Sequence, residues 1–402
     1  MEELSRTLDE VFRREKGRVV GGLVRLFGSI DAAEDAFQDA VLAALASWPT
    51  DGTPDNPAAW LTSTAKNHAR DAARHRRVVE RSAPLLVEDD LMAPETIESV
   101  SDNELRLIFT CCHPSLTPET QVALTLKVVA GFTTEEIARA LLSPEKTVAQ
   151  RIARAKRAIE EKQLPYEVPD RAELPQRLAS VLAVIYLVFN EGYTTREGPL
   201  MRLDLQKEAL RLSHLLCDLL PTEPEAFGLF ALIALSFARA NTRTDERGEL
   251  LLLSQQDRAR WDRAMIKDGL MALERARRLG GRESHVLQAE IAACHATAPA
   301  WDSTDWRHIL DCYDELYAIN PSPVVALNRA VAVCMHTGPA EALAALVELE
   351  PRLARYHLFY ALRADFRRRL GEDARDDYRR ALELASNESE RSFLRRQIAE
   401  IA

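Results

Sequence analysis

An all-α fold is what this sequence predicts, and three observations predict it. Glycine is scarce, 15 in 402 residues, while the helix formers Leu, Ala, Arg and Glu dominate. Apolar residues recur at i, i+3, i+4 spacing, and strand-forming β-branched runs are few. Helix-start signals recur along the chain: a Ser, Thr, Asp or Asn followed at once by Pro, or by Glu three residues on.

Justified in order, the first clear helix opens at Asp31, where Glu34 completes an acidic version of the capping box. Ala33, Ala36, Phe37, Ala40, Val41, Ala44 and Leu45 form its buried stripe. Asp35, Gln38, Asp39 and Leu42 form the other face, either a docking surface for a basic partner helix or an ordinary solvated face. A loop from Trp48 to Asp55, rich in Pro, Gly and Asp, follows and has the composition to frame a pocket. Asn56 and Pro57 then start the next helix, as N-cap and first position. Trp60, Leu61, Ala65, His68 and Ala72 face its core. Asn67, Arg70, Asp71, Arg74 and His75 line another face, whose amide and guanidinium donors suit phosphates and base edges.

Further along, Thr117-Pro118 starts a helix that Gly131 ends. Thr133 and Glu136 cap a short one that turns Ile137, Ala138 and Leu141 inward. Ser143 and Pro144 start a third helix with Val148, Ile152, Ala155 and Ile159 buried. Its free face carries Lys146, Thr147, Gln150, Arg151 and Arg154. Two short helices with a tight turn and a basic second member read as a helix-turn-helix, although protein-binding helix pairs can mimic the pattern. The C-terminal part repeats helix, turn and helix. Val324 to Met335, Ala340 to Leu349, Ala354 to Leu370 and Asp373 to Ala385 are the helices, and Gly338-Pro339, Glu350-Pro351 and Gly371 are the breaks. Tetratricopeptide-like stacking is expected, with an irregular helical domain as the alternative.

Composition bounds the rest. Hydrophobic residues make up 47% and charged residues 28%, enough to bury real cores, and the length predicts two or three domains. The blocks are 5–80, a linker 81–100 carrying Pro84, Glu88-Asp89-Asp90 and Pro94, then 101–163, and 170–402. The polar, acidic N-terminus shows no signal peptide, and no apolar run reaches the about 18–20 residues of a membrane span. None of the six cysteines forms a C-x-x-C pair, and no Cys/His set has zinc spacing, so a reduced cytoplasmic setting without metal or other cofactor is expected. Cys111-Cys112-His113-Pro114 reads as helix-end packing, since adjacent cysteines splay apart on a helix. The net charge of −10 does not exclude a nucleic-acid partner, because phosphate contacts depend on local patches. Lys66 to Arg81, with Arg76 and Arg77, and Lys146 to Arg157 are two such patches.

Together these segments resemble regions 2 and 4 of sigma-70-type factors, in the compact extracytoplasmic function class. The resemblance is carried by Asp31-Ala-Ala-Glu-Asp-Ala-Phe-Gln-Asp39, Pro57-Ala-Ala-Trp-Leu61, Ala65-Lys-Asn-His-Ala-Arg-Asp71 and Gly131-Phe-Thr-Thr-Glu-Glu-Ile-Ala138, with Thr147-Val148 and Arg151 to Arg157. It covers about 40% of the chain, in the family's order and spacing. It implies an alternative sigma factor with RNA polymerase core and promoter DNA as partners. Asp35, Gln38, Asp39 and Leu42 would then dock on the β′ clamp helices, with the β flap as a second contact. Asn67, Arg70, Asp71, Arg74, Arg76 and Arg77 would work at the melted −10 non-template strand, with a flipped base held by the Trp48–Asp55 loop. Lys146, Thr147, Gln150, Arg151 and Arg154 would read the −35 duplex.

The C-terminal extension resembles a subgroup with a fused tetratricopeptide-like domain, in which Phe109-Thr-Cys-Cys-His-Pro114 and Leu187-Val-Phe-Asn-Glu-Gly-Tyr193 recur. The resemblance implies that this domain governs activity. Asn190, Glu191, Tyr193, Gln256, Asp257, Arg258 and Trp261 are read either as a contact with the sigma bundles or a small pocket, or as a buried polar network or loop residues. Two other functions fit the sequence less well. A ligand-sensing repressor leaves the first bundle without a role. An enzyme lacks a nucleophile elbow, a Gly-rich phosphate loop and paired metal ligands, so no catalytic residue is assigned.

Overall fold

The computed structural model describes residues 2–79, 97–141, 143–170, 172–193, 201–246 and 248–401, without the side chains of 2–10, 14, 69–79 and 97–102. The linker signals at Pro84, Glu88-Asp89-Asp90 and Pro94 lie outside the described residues. Among those described there is no strand beyond one isolated bridge, Thr244 to Leu250, and the all-α expectation holds. The chain divides into two compact units, Met1–Leu187 and Val188–Ala402.

The first unit contains α1 (Glu2–Phe27), α2 (Ile30–Asp51), α3 (Pro57–Val79), α4 (Ile97–Cys111), α5 (Pro118–Val128), α6 (Thr134–Ala140), α7 (Glu145–Glu161) and most of α8 (Leu174–Tyr193). The two helical blocks read separately along the sequence pack together here, because α1 lies against α2, α3 and α4 at once. Two glycines make that crossing close. A Cβ on Gly21 would stand 2.7 Å from the carbonyl oxygen of Asn103, and one on Gly17 would stand 2.6 Å from Glu104 Oε1. Leu23, Leu61, Leu107, Ile108, Phe109, Leu124, Leu126, Ile137 and Ile185 are among the large, fully buried side chains of this unit.

Several local expectations need correction. The cap of α2 is Ser29, not Asp31, and Glu34 turns inward instead of closing a capping box. Leu45, placed in the buried stripe, is exposed. The helix continues to Asp51, so the loop expected from Trp48 is only residues 52–56. Trp48 is buried, with its ring 5.4 Å from Phe12 and 5.3 Å from Trp60, and the helix runs on past Pro49. His68 is exposed rather than packed in the core. Ser143 does not cap α7; its hydroxyl donates to Leu141 O, and Pro144 holds the cap position with extended backbone. The Thr133–Glu136 capping box of α6 is present with both hydrogen bonds, and Asn56 accepts from Ala59 N at 3.0 Å. Cys111 and Cys112 are fully buried at the end of α4, and burial pushes the Cys112 thiol up to about 12.

The second unit contains α9 (Leu203–Leu219), α10 (Pro224–Phe237), α11 (Arg263–Arg278), α12 (Ser284–Thr297), α13 (Trp306–Ile319), α14 (Pro323–His336), α15 (Pro339–Leu346), α16 (Glu350–Leu353), α17 (His357–Arg369), α18 (Arg375–Leu384) and α19 (Glu388–Ile401). Helix α10 is apolar on nearly every side, and α9, α11 and α12 enclose it. Beyond it, neighbours pack in succession: α12 on α13, α13 on α14, α14 on α15, α15 on α17, α17 on α18 and α18 on α19. The expected breaks fall at Gly338 and Gly371, both at positive φ, +144° and +76°. The helix expected from Ala354 starts only at His357, because Tyr356 is extended and closes the short α16 turn.

Candidate functional site

The helix-turn-helix is the best-defined surface. Helix α7 buries Val148, Ile152 and Ala155 against α5 and α6, which leaves Lys146, Gln150 and Arg154 exposed and Thr147 and Arg151 half-exposed on the outer side. Helical spacing of three and four residues puts these donors on one strip, the arrangement a duplex reader needs. Arg154 Nε donates to the carbonyl of Gln150 in its own helix, at 3.3 Å.

On α2, the apolar face built by Ile30, Ala33, Phe37, Ala40 and Ala44 turns Asp35, Gln38, Asp39 and Leu42 outward together. Leu42 is 65% exposed beside these polar side chains. On α3, Asn67 is exposed. The helix runs on through Arg70, Asp71, Arg74, Arg76 and Arg77, whose side chains lie outside the described residues.

Sequence reasoning missed a buried charge cluster where α1, α2 and α7 meet. Lys16 Nζ donates to Glu34 Oε1 at 2.8 Å and to Lys127 O at 2.8 Å, and Lys156 Nζ meets Glu34 Oε2 at 2.7 Å and also pairs with Asp31. Burial pushes the Glu34 carboxyl up, but the two ammoniums outweigh it and hold it below its ordinary value. Burial wins at Lys16, which shares that single carboxylate and is lowered. Burial loses at Lys156, which is raised by Glu34 and Asp31. A signal was present: Glu34 sits in phase with Ile30 and Phe37, on the face that must be buried. Lys156, counted in the basic run of α7, is thereby committed to α2. Arg13 of α1 also pairs with the capping Glu136, and Tyr166 donates its hydroxyl to Gly21 O (2.6 Å) and Asn103 O (2.9 Å).

In the second unit, the polar residues singled out near helix ends form an internal network. Tyr193 lies beneath Arg239 and Arg243, with the Arg243 guanidinium carbon 3.6 Å from the ring centroid. Trp261 Nε1 donates to Thr242 Oγ1 at 2.9 Å, and Thr242 Oγ1 donates to Gln256 Oε1 at 3.4 Å. Asp257 caps the turn that carries Arg258, which donates to Ala298 O at 2.9 Å and lies over the Trp261 ring. Asn190 and Glu191 are half-buried. Tyr193, Gln256, Arg258 and Trp261 are thus held by polar and ring contacts within the unit, and the exposed Asp257 is a loop residue that caps its own turn.

Comparison with known proteins agrees with this geometry. Residues 11–78 match the model for sigma-70 region 2, residues 106–159 match sigma-70 region 4, and residues 177–277 match a family of unknown function, DUF6596. An uncharacterized protein of Rhizobium meliloti (strain 1021) is 41% identical over 396 residues, covering 96% of this chain and 93% of that protein. The RNA polymerase sigma factor CarQ of Myxococcus xanthus is 34% identical over 131 residues, 32% of this chain and 73% of that protein. No solved structure matches significantly. Sigma families are, as a class, DNA-binding regulators rather than enzymes. The chain thus belongs to the sigma-70 family, as an alternative sigma factor of the extracytoplasmic function type with a fused C-terminal domain, which binds RNA polymerase core and promoter DNA to initiate transcription.

Proposed function

We propose that three surfaces divide the work of promoter-directed initiation. Asp35, Gln38, Asp39 and Leu42 of α2 dock on the β′ clamp helices of the polymerase, with the β flap as the second contact. Asn67, Arg70, Asp71, Arg74, Arg76 and Arg77 of α3 engage the melted −10 non-template strand, and the short loop at 52–56 receives an unstacked base. Lys146, Thr147, Gln150, Arg151 and Arg154 of α7 read the −35 duplex, Gln suiting adenine and Arg suiting guanine or phosphate. The first two assignments fall in 5–80, followed by the linker 81–100, the third falls in 101–163, and 170–402 is a helical regulatory domain. The protein acts in the cytoplasm, without catalytic chemistry of its own. No helix among the described residues is long and apolar enough to cross a membrane.

The observation that carries this reading is the outer strip of α7, where three polar side chains are exposed while the opposite side is sealed. Run-off transcription with purified core polymerase tests it. Arg154→Ala is expected to lose about 1–3 kcal/mol of discrimination at one −35 position and leave core binding intact. Lys at both Asp35 and Asp39 is expected to abolish core binding and leave duplex binding intact. Unchanged core affinity in the second variant would remove the docking assignment.

A further inference from the structure

One cluster in the C-terminal unit has no part in promoter recognition. Helix α12 carries Glu290 and α13 carries His308 and Cys312, one helical turn apart on the same face. Their donor atoms converge. Glu290 Oε2 is 3.3 Å from His308 Nε2 and 3.5 Å from Cys312 Sγ, and Cys312 Sγ is 3.6 Å from His308 Nε2. Glu290 and Cys312 are buried, whereas the imidazole of His308 is 42% exposed.

Three readings of such a triad are distinguishable by geometry. A nucleophilic relay would present one ring nitrogen to the thiol and the other to the carboxylate. Here the same nitrogen, Nε2, faces both. The thiol is also buried among Ile291, Ile309 and Ala332, out of reach of a substrate. A purely hydrogen-bonded pair would draw a charge-assisted N···O contact in to about 2.7–2.9 Å. The observed 3.3 Å is longer. Chelation fits best. Around a tetrahedral zinc with bonds of about 2.0–2.1 Å to N, 2.0–2.2 Å to O and 2.3 Å to S, an N···O edge is about 3.3–3.4 Å and an edge to sulfur about 3.5–3.6 Å. All three measured separations match those edges.

We propose that Glu290, His308 and Cys312 form a binding site for a borderline divalent transition ion of the zinc class, clamping α12 to α13. The mixed O, N and S donor set selects such an ion over Mg²⁺ or Ca²⁺, which take oxygen ligands. Arg277 Nε donates to the other carboxylate oxygen, Glu290 Oε1, at 3.0 Å, which orients the carboxylate and leaves Oε2 for the ion. The exposed side of His308 supplies the entry path and leaves the fourth position to solvent. Binding breaks the Cys312 S–H bond, forms the sulfur–metal bond and passes the proton to water, so affinity rises with pH. Arg277 from α11, and Arg282 paired with Glu315, are the cations nearby. A scan for C-x-x-C spacing is blind to this set, because its members come one and two from separate helices.

Cobalt titration of the full-length, reduced, chelator-stripped protein tests the site. Expected are saturation at one Co²⁺ per chain, tetrahedral visible bands, a near-ultraviolet thiolate-to-cobalt charge-transfer band, release of one proton per ion and displacement by Zn²⁺. Cys312→Ser is expected to lose the charge-transfer band. His308→Ala, at a half-exposed position where the fold is retained by circular dichroism, is expected to weaken binding roughly 10- to 100-fold or more. Absence of the charge-transfer band at saturating cobalt would overturn the site, as would its survival in Cys312→Ser or undiminished affinity in His308→Ala.

Discussion

At the scale of single residues, Glu34 decides the most. It is a carboxylate buried between two ammoniums, and the helix pattern of α2 alone offers no reason for it to be acidic. Its role is set by Lys16 and Lys156, which approach from α1 and α7. Removing one partner from a buried pair leaves uncompensated charge. Glu34→Gln is therefore expected to destabilise the first unit by on the order of 3 kcal/mol, read as a lower urea midpoint. The pH dependence has a definite sign. The folded value of Glu34 lies below its unfolded value, so its stabilisation is complete above about pH 4.3 and is lost as pH falls through the folded value. Stability of the parent protein should fall over that acid window. A slope just as steep in Glu34→Gln would show that other carboxylates carry it.

At the scale of elements, the crossing of α1 and α4 rests on missing atoms. Any side chain at Gly21 meets the Asn103 backbone, which cannot swing aside as a flexible side chain would. Alanine gains about 1 kcal/mol of helix preference at such a position. Overpacking against a backbone typically costs about 1–3 kcal/mol, and the rigidity of the contact puts this site at the upper end. Gly21→Ala is thus expected to be destabilising on balance, by about 1–2 kcal/mol. Equal or higher stability by chemical denaturation would mean that the helices separate at no cost. The same crossing explains Tyr166, whose hydroxyl bridges α1 and α4 from the segment after α7.

At the scale of the whole molecule, the helices matched to sigma-70 regions 2 and 4 and the C-terminal helices from α9 onward belong to different compact units, 1–187 and 188–402. A chain ending after Tyr193 keeps α8, and with it the Arg177 side chain that donates to Phe109 O at 3.0 Å. If the C-terminal unit governs activity, that truncation changes run-off transcription from a cognate promoter at equal core occupancy. Identical transcript yield from both forms would remove the regulatory role and leave the sigma assignment standing.

The sequence by itself determined what depends on local periodicity and capping: the all-helical class, the capping box of α6, the Asn56-Pro57 start of α3, and the outward strip of α7 from Lys146 to Arg154. Those features need only the 3.6-residue repeat and the hydrogen-bonding habits of a few side chains. Tertiary structure alone decided what depends on surfaces distant in the chain. It brought Lys16 and Lys156 to the buried Glu34, moved the α2 cap to Ser29, drew Trp48 into an aromatic cluster and took Lys156 from the basic face. It also brought Glu290 to His308 and Cys312. The reason is physical: the energy of a buried charge or a metal-ligand set lies in partners from other helices, and no window along one helix contains them.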